Sequence, residues 1–132
     1  MKRVGVVLNW VMVAFVVLGE LMVNIRFQHP DEKTFFLGIP FALALLSHYH
    51  PRRWLPSLSL VSNALLALII LTVFFEIPTI NREFGHYGRT YVTFALIAVP
   101  VILNVITAIN DLQAQKNSSA MASESVDDGP AT

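Results

Sequence analysis

An uninterrupted apolar run from Leu55 to Ile77 constrains the fold of this chain more than any other sequence feature. Residues 58–75 of this run contain no charged side chain, and the first acid is Glu76. About 20 apolar residues in helical conformation cross the ~30 Å hydrocarbon core of a bilayer. A chain of 132 residues forms no soluble core large enough to bury such a helix. The run is therefore predicted to be a transmembrane helix, and Pro78 is predicted to end it.

The composition agrees with an integral membrane protein. Hydrophobic residues make up 55% of the chain and the mean hydropathy is +0.59, above the values usual for a soluble domain. The formal net charge is zero, which argues against nucleic acid as a partner. The sequence contains no cysteine, which excludes disulfides, thiolate nucleophiles and metal centres with cysteine ligands.

Further apolar segments extend this prediction to an all-α fold of four antiparallel transmembrane helices. The four-helix domain is predicted at residues 1–110, with spans at about residues 4–25, 31–49, 55–77 and 90–109. The first span is interpreted as uncleaved, because Gly19-Glu20-Leu21 is not the small-x-small pattern of a signal peptidase site.

The second span is the shortest of the four. Its apolar part covers residues 35–47 and includes Gly38 and Pro40. That length also fits a re-entrant or interfacial segment. A helix that starts near Asp31 and ends near Tyr49 would reach about 27 Å at 1.5 Å per residue, enough for a crossing with its first turn among the lipid headgroups.

The segments outside the spans are polar. Residues 79–89 are predicted to form a loop, and residues 111–132 a disordered tail, because the tail is rich in Ser, Ala, Gln and Asp and lacks aromatic residues. Asn110 marks the change in composition.

The charges between spans suggest an orientation. Four crossings place both termini on one side, together with five of the nine cations: Lys2, Arg3, Arg52, Arg53 and Lys116. The positive-inside rule then predicts cytoplasmic termini, in a cell membrane of the bacterial inner-membrane type.

The connection between the second and third spans has the composition of a membrane–water boundary. Its basic and aromatic side chains are predicted to contact anionic lipid headgroups: His48, His50, Arg52, Arg53 and Trp54. A metal site at the His-x-His pattern is disfavoured, because no carboxylate or thiolate lies close in sequence and the two arginines repel a cation. We expect neither a metal nor a cofactor.

Glu20 is the first candidate for an intramembrane polar site. A charge within a span is costly and tends to face other helices. Asn9, eleven residues earlier, is only about 20° away around the helix, and Asn24, four residues later, about 40°. Val13 and Val16 fill the same face, which is predicted to point into the bundle. The functional interpretation is a proton or cation site or a gate. The structural alternatives are a helix–helix hydrogen bond and a carboxylate that reaches the outer headgroups.

Three further polar residues in the spans complete the candidate site: Asn63, Asn104 and Glu76. Asn9, Asn63 and Asn104 are all predicted in the cytoplasmic half of the membrane, where an unpaired amide is unfavourable, so interhelical hydrogen bonds are expected. The alternative is a small polar cavity. Glu76, near the opposite surface, is expected to join Glu20 in an acid–base cluster with arginines there.

No catalytic motif is evident. We therefore expect a non-enzymatic multi-pass membrane protein that acts as a packing partner or accessory subunit, surrounded by the lipid bilayer and by copies of itself or a partner membrane protein. The alternative is a small-ion or small-solute transporter that uses Glu20, as an oligomer because four helices enclose little interior.

Overall fold

The computed structural model describes the backbone of residues 2–27, 33–50, 52–84 and 87–127, and the side chains of residues 2–22, 25, 36–50, 52–76 and 91–126. Within these ranges the chain is all-helical. Its four helices are α1 (Lys2–Phe27), α2 (Lys33–Tyr49), α3 (Leu55–Phe84) and α4 (Tyr87–Asp127).

Three of the four helices are long and apolar enough to cross a membrane. Their qualifying segments are Lys2–Met22 in α1, Leu55–Glu76 in α3 and Tyr91–Val126 in α4. The apolar part of α2, Phe36–Tyr49, is shorter. The 17 residues of α2 measure about 26 Å at 1.5 Å per residue, which is slightly less than the ~30 Å hydrocarbon core of a bilayer. A fourth crossing, by α2, therefore stays a prediction.

Helix α3 is longer than the sequence predicts. Pro78 was expected to end it, but the helix continues to Phe84, and α4 already begins at Tyr87. The predicted loop at residues 79–89 is therefore mostly helical. A proline removes a single backbone hydrogen bond, here to the carbonyl of Phe74, and an apolar helix can retain its other bonds on both sides.

Helix α4 also corrects the prediction of a disordered tail for residues 111–127, while residues 128–132 lie outside the described residues. It runs to Asp127, about 62 Å at helical rise, which is roughly twice the thickness of the hydrocarbon core. Residues 112–126 contain no glycine or proline, and nine of the fifteen are Ala, Gln, Leu, Lys, Met or Glu, which favour helix. Serine hydroxyls also donate to carbonyls of the preceding turn, from Ser118 to Ala114 and from Ser119 to Gln115, each at 3.0 Å.

All four helices pack against one another around the buried interior. Helix α1 packs on α2, α2 on α3, and α3 on α4, while α1 also contacts α4. Phe41, Leu66 and Val101 form the buried apolar cluster. At Gly38 a Cβ atom would lie 3.3 Å from Cγ1 of Val16, so the absence of a side chain lets α1 and α2 approach closely.

Most of the apolar surface faces outward. In the most apolar segments of α1, α3 and α4, only 17%, 17% and 22% of the residues are buried. Large side chains such as Phe15, Leu68 and Leu96 are at least 60% exposed. Such a surface needs lipid or another apolar helix around it, because water cannot solvate it without a large free-energy cost.

Candidate polar site in the bundle interior

Three asparagines from three helices form a hydrogen-bonded network inside the bundle. The Asn9 amide donates to Oδ1 of Asn104 at 2.7 Å, and the Asn104 amide donates back to Oδ1 of Asn9 at 2.8 Å. The second N–H of Asn104 donates to Oδ1 of Asn63 at 3.1 Å. All three side chains are at most 5% exposed.

The network reaches the fourth helix through a backbone carbonyl. The amide of Asn63 donates to the carbonyl of Pro40 in α2 at 3.1 Å and to the carbonyl of Ser59, one turn earlier in α3, at 2.9 Å. A carbonyl oxygen has two lone pairs, so each can accept this bond in addition to one from the helix backbone. One connected set of polar groups thus joins α1, α2, α3 and α4.

Nearly all hydrogen-bonding groups of the three asparagine side chains are occupied. Asn104 and Asn63 each employ both amide N–H groups and their carbonyl oxygen, and Asn9 employs its oxygen and at least one N–H. Neutral amides neither bind nor release protons near neutral pH. The geometry therefore suits the positioning of helices rather than proton chemistry.

The sequence predicted part of this network. It predicted interhelical bonds for Asn9, Asn63 and Asn104, and these form. The two carbonyl acceptors were not predicted. Ser59 could have been suspected, since it lies one helical turn before Asn63. The carbonyl of Pro40 carries no signal in the sequence.

Glu20 lies on the same face of α1 and is also buried, with 2% of its surface exposed. Asn9 and Val16, which share that face, are buried as well, as the helical spacing predicts. The side chain of Asn24, the third polar member of the predicted face, lies outside the described residues. Glu76 is exposed, so the two acids occupy different environments.

An apolar layer separates Glu20 from the asparagines. Eleven residues of helix place Glu20 about 16 Å along α1 from Asn9. The apolar cluster of Phe41, Leu66 and Val101 occupies this interval, with Met12, Val13 and Ile97 packed against it. Leu66 lies three residues after Asn63, and Val101 lies three residues before Asn104, so the apolar layer begins about one helical turn from the asparagines. The two polar regions are therefore not continuous among the described residues.

A small polar cavity adjoins the asparagines on the side away from Glu20. It measures about 30 Å³ and its lining includes Asn9, Asn104, Ser59, Ser47 and Thr107, room for one or two water molecules. Lys2 and Asp111 lie at its rim and form an ion pair with Nζ 2.9 Å from Oδ1. Their side chains are 64% and 30% exposed, so this pair marks the end of the bundle.

The predicted headgroup-contact residues lie at the same end. His48 is in the last turn of α2, and Arg52, Arg53 and Trp54 lie in the connection to α3. These four side chains and His50 are exposed. Close by, the indole N–H of Trp10 donates to the Tyr49 hydroxyl at 3.4 Å, which places two amphipathic rings together at the surface.

The remaining features of the site offer little further chemistry. Among the described residues, no group of three or more His, Cys, Asp or Glu side chains could hold a metal ion. A second, apolar cleft of about 490 Å³ lies between α3 and α4, lined by Ala67, Phe74, Tyr91, Phe94 and Ala98 among others.

Comparisons with protein families, with curated proteins and with solved structures found no match to this chain. Its function is therefore inferred from the geometry of its own residues.

Proposed function

We propose that this chain is a multi-pass membrane protein without enzymatic activity, which acts as a packing partner or accessory subunit for another membrane protein or for a second copy of itself. One contrast carries the proposal. The asparagine side chains in the interior are used in hydrogen bonds between helices, while large apolar side chains cover the outside. Such a bundle is held together from within and presents a surface for lipid and for other helices.

The proposal includes four antiparallel crossings. Two contacts between α1 and α4 support it: Lys2 pairs with Asp111, and Asn9 pairs with Asn104, so residue numbers rise along one helix as they fall along the other. Asn63 on α3 contacts Pro40 on α2, which places α2 within the bundle. With an even number of crossings the two ends of the chain share one side. The charge bias supports a cytoplasmic position for this side, and the proposed location is a bacterial inner membrane.

Single-cysteine labelling tests the topology, because the natural sequence has no cysteine. The variants Gln28→Cys, His50→Cys, Asn81→Cys and Ser118→Cys are treated on intact cells with a membrane-impermeant maleimide. Four crossings predict labelling at 28 and 81 only. If α2 does not cross, positions 28, 50 and 118 share one side and position 81 lies on the other, and the four-crossing proposal is then rejected.

Glu20 supports a second candidate, an oligomeric transporter of a small ion or solute. A carboxyl with 2% exposure inside an apolar helix bundle is a residue type that proton and cation pathways use. The apolar layer around Phe41 interrupts any continuous polar route within one copy. An oligomer would have to supply the pathway between copies, which is why we place this function second.

The two candidates are separated by Glu20→Gln with Glu76→Gln as its matched control, since Glu76 is an exposed acid on α3. Accumulation in the membrane fraction and proton-coupled flux in reconstituted vesicles are both measured. A packing role predicts no flux from the parent protein and a larger loss of accumulation for Glu20→Gln than for Glu76→Gln. Flux in the parent that disappears in Glu20→Gln at normal accumulation would reverse the order of the two candidates.

A further inference from the structure

A groove of about 540 Å³ lies between the α2–α3 connection and the part of α4 that follows Asp111. Arg53 lines one side of it, and α4 lines the other. The α4 residues in its lining that carry polar side chains are Gln115, Lys116, Ser118 and Ser119. The groove exists because α4 continues as a helix where the sequence predicted a disordered tail.

The charge around this groove is positive. Five cations lie at this end of the chain, Lys2, Arg3, Arg52, Arg53 and Lys116, against one acid within the same turns, Asp111. That acid is already paired with Lys2 at 2.9 Å. The next acid along α4 is Glu124, eight residues after Lys116 and therefore about 12 Å farther along the helix. Arg53 and Lys116 are thus the two charged residues in the lining of the groove, and the lining contains no acid that could pair with them.

Aromatic residues fix the depth of the groove relative to the membrane, if the chain spans it as proposed above. Trp54 is 54% exposed and Tyr49 is 57% exposed, and both flank the connection that carries Arg53. Exposed Trp and Tyr residues at the end of a span lie at the level of the lipid headgroups. The groove then opens at the depth of the lipid phosphates.

We propose that this groove is a binding site for the phosphate group of an anionic glycerophospholipid. The planar guanidinium of Arg53 can donate two parallel hydrogen bonds to phosphate oxygens, and Lys116 contributes a point charge from the opposite wall. The hydroxyls of Ser118 and Ser119 already donate to backbone carbonyls, so the two cations provide the main recognition. A lipid held this way would join the connection to the extension of α4. This inference depends on the proposed membrane placement.

The test uses the full chain purified in a mild detergent. Its thermal unfolding is followed while mixed micelles with phosphatidylglycerol, mixed micelles with zwitterionic phosphatidylcholine, or inorganic phosphate are titrated. A ligand that binds only the folded state raises the melting temperature. We compare the parent with the double variant Arg53→Gln/Lys116→Gln, and with Arg3→Gln as control, because Arg3 is an exposed cation at the same end of the chain and lies outside the groove lining.

The expected result is stabilisation by phosphatidylglycerol that phosphatidylcholine does not reproduce, an affinity at least about tenfold lower in the double variant, and near-parent behaviour of Arg3→Gln. Three outcomes overturn the proposal: equal stabilisation by both lipids, an equal loss in Arg3→Gln, or groove-dependent stabilisation by inorganic phosphate alone, which would assign a soluble phosphate compound instead of a lipid.

A second measurement needs no variant. In the parent, stabilisation by phosphatidylglycerol should weaken as salt is raised, since ion pairs near a surface are screened. An effect that does not depend on salt would also count against the phosphate site. Membrane placement is checked separately, by resistance of the protein to alkaline extraction, so a negative lipid result leaves the proposed function standing.

Discussion

Asn9 and Asn104 exchange two hydrogen bonds, of 2.7 and 2.8 Å, although 95 positions separate them in the sequence. The pair joins α1 to α4 inside the bundle, and Asn63 extends it to α3. In water such bonds would compete with solvent. Buried among apolar helices, the two amides have few alternative partners, so together they specify which faces of the helices meet.

This pairing can be measured by a double-mutant cycle. Asn104→Leu leaves Asn9 and Asn63 without their shared partner, and we expect a loss of about 1–3 kcal/mol in the free energy of unfolding. In Asn9→Leu/Asn104→Leu both members of the reciprocal pair are apolar, so the total should be smaller than the sum of the single losses. Unfolding in detergent or bicelles gives the values.

The matched control for the cycle is Asn110→Leu, the same chemical change at an exposed position on α4. It should alter the free energy of unfolding by no more than about 0.5 kcal/mol. Strict additivity of the two single changes would show that Asn9 and Asn104 do not form the pair described.

A side chain at Gly38 should force α1 and α2 apart. A Cβ there lies 3.3 Å from Val16, so Gly38→Leu is expected to cost about 1–3 kcal/mol of unfolding free energy through overpacking. At Gly19 nothing lies within 4 Å of an added Cβ, so Gly19→Ala should be neutral or slightly stabilising. The same unfolding assay reports both. Val16 is buried, so Val16→Ala has a cost of its own, but the loss in Gly38→Ala/Val16→Ala should be smaller than the sum of the two single losses. Strict additivity would assign the close approach elsewhere.

The Lys2–Asp111 ion pair should contribute little to stability. The Lys2 side chain is 64% exposed, and exposed pairs are typically worth about 0–1 kcal/mol. Asp111→Asn is therefore expected to reduce the free energy of unfolding by less than about 1 kcal/mol, and less still in high salt. Restoration by the exchanged pair Lys2→Asp/Asp111→Lys at low salt checks that the contact is the cause. A large loss that salt does not change would contradict this assignment.

The extension of α4 beyond Asp111 should unfold independently of the bundle. Ala120→Pro places a residue that disfavours helix by about 3 kcal/mol in a segment whose side chains are exposed. Hydrogen exchange of residues 112–126 should accelerate, while that of residues 97–108 stays at the parent rate. Ala120→Gln, which keeps a good helix former, serves as control. If the parent itself shows no protection in residues 112–126, the segment is not a stable helix in solution.

Helical spacing in the sequence is enough to predict which face of α1 is buried. The spacing of Asn9, Val16 and Glu20 on α1 predicts their common burial, because a helix with one polar stripe in an apolar surface turns this stripe toward its neighbours. The tail shows where such rules fail. Its polar composition predicts disorder, but residues that are polar and also favour helix can continue a helix that an apolar segment has already nucleated.

What the sequence alone determined is that the chain has apolar segments long enough to cross a membrane as helices, since hydropathy and the length of an apolar run are properties of consecutive residues. Only the tertiary structure decided that Asn104 bonds both Asn9 and Asn63, that Asn63 reaches the carbonyl of Pro40, and that an apolar layer separates this network from Glu20. These relationships depend on the rotation and depth of each helix against the others. Packing sets both, and it involves residues far apart in the chain.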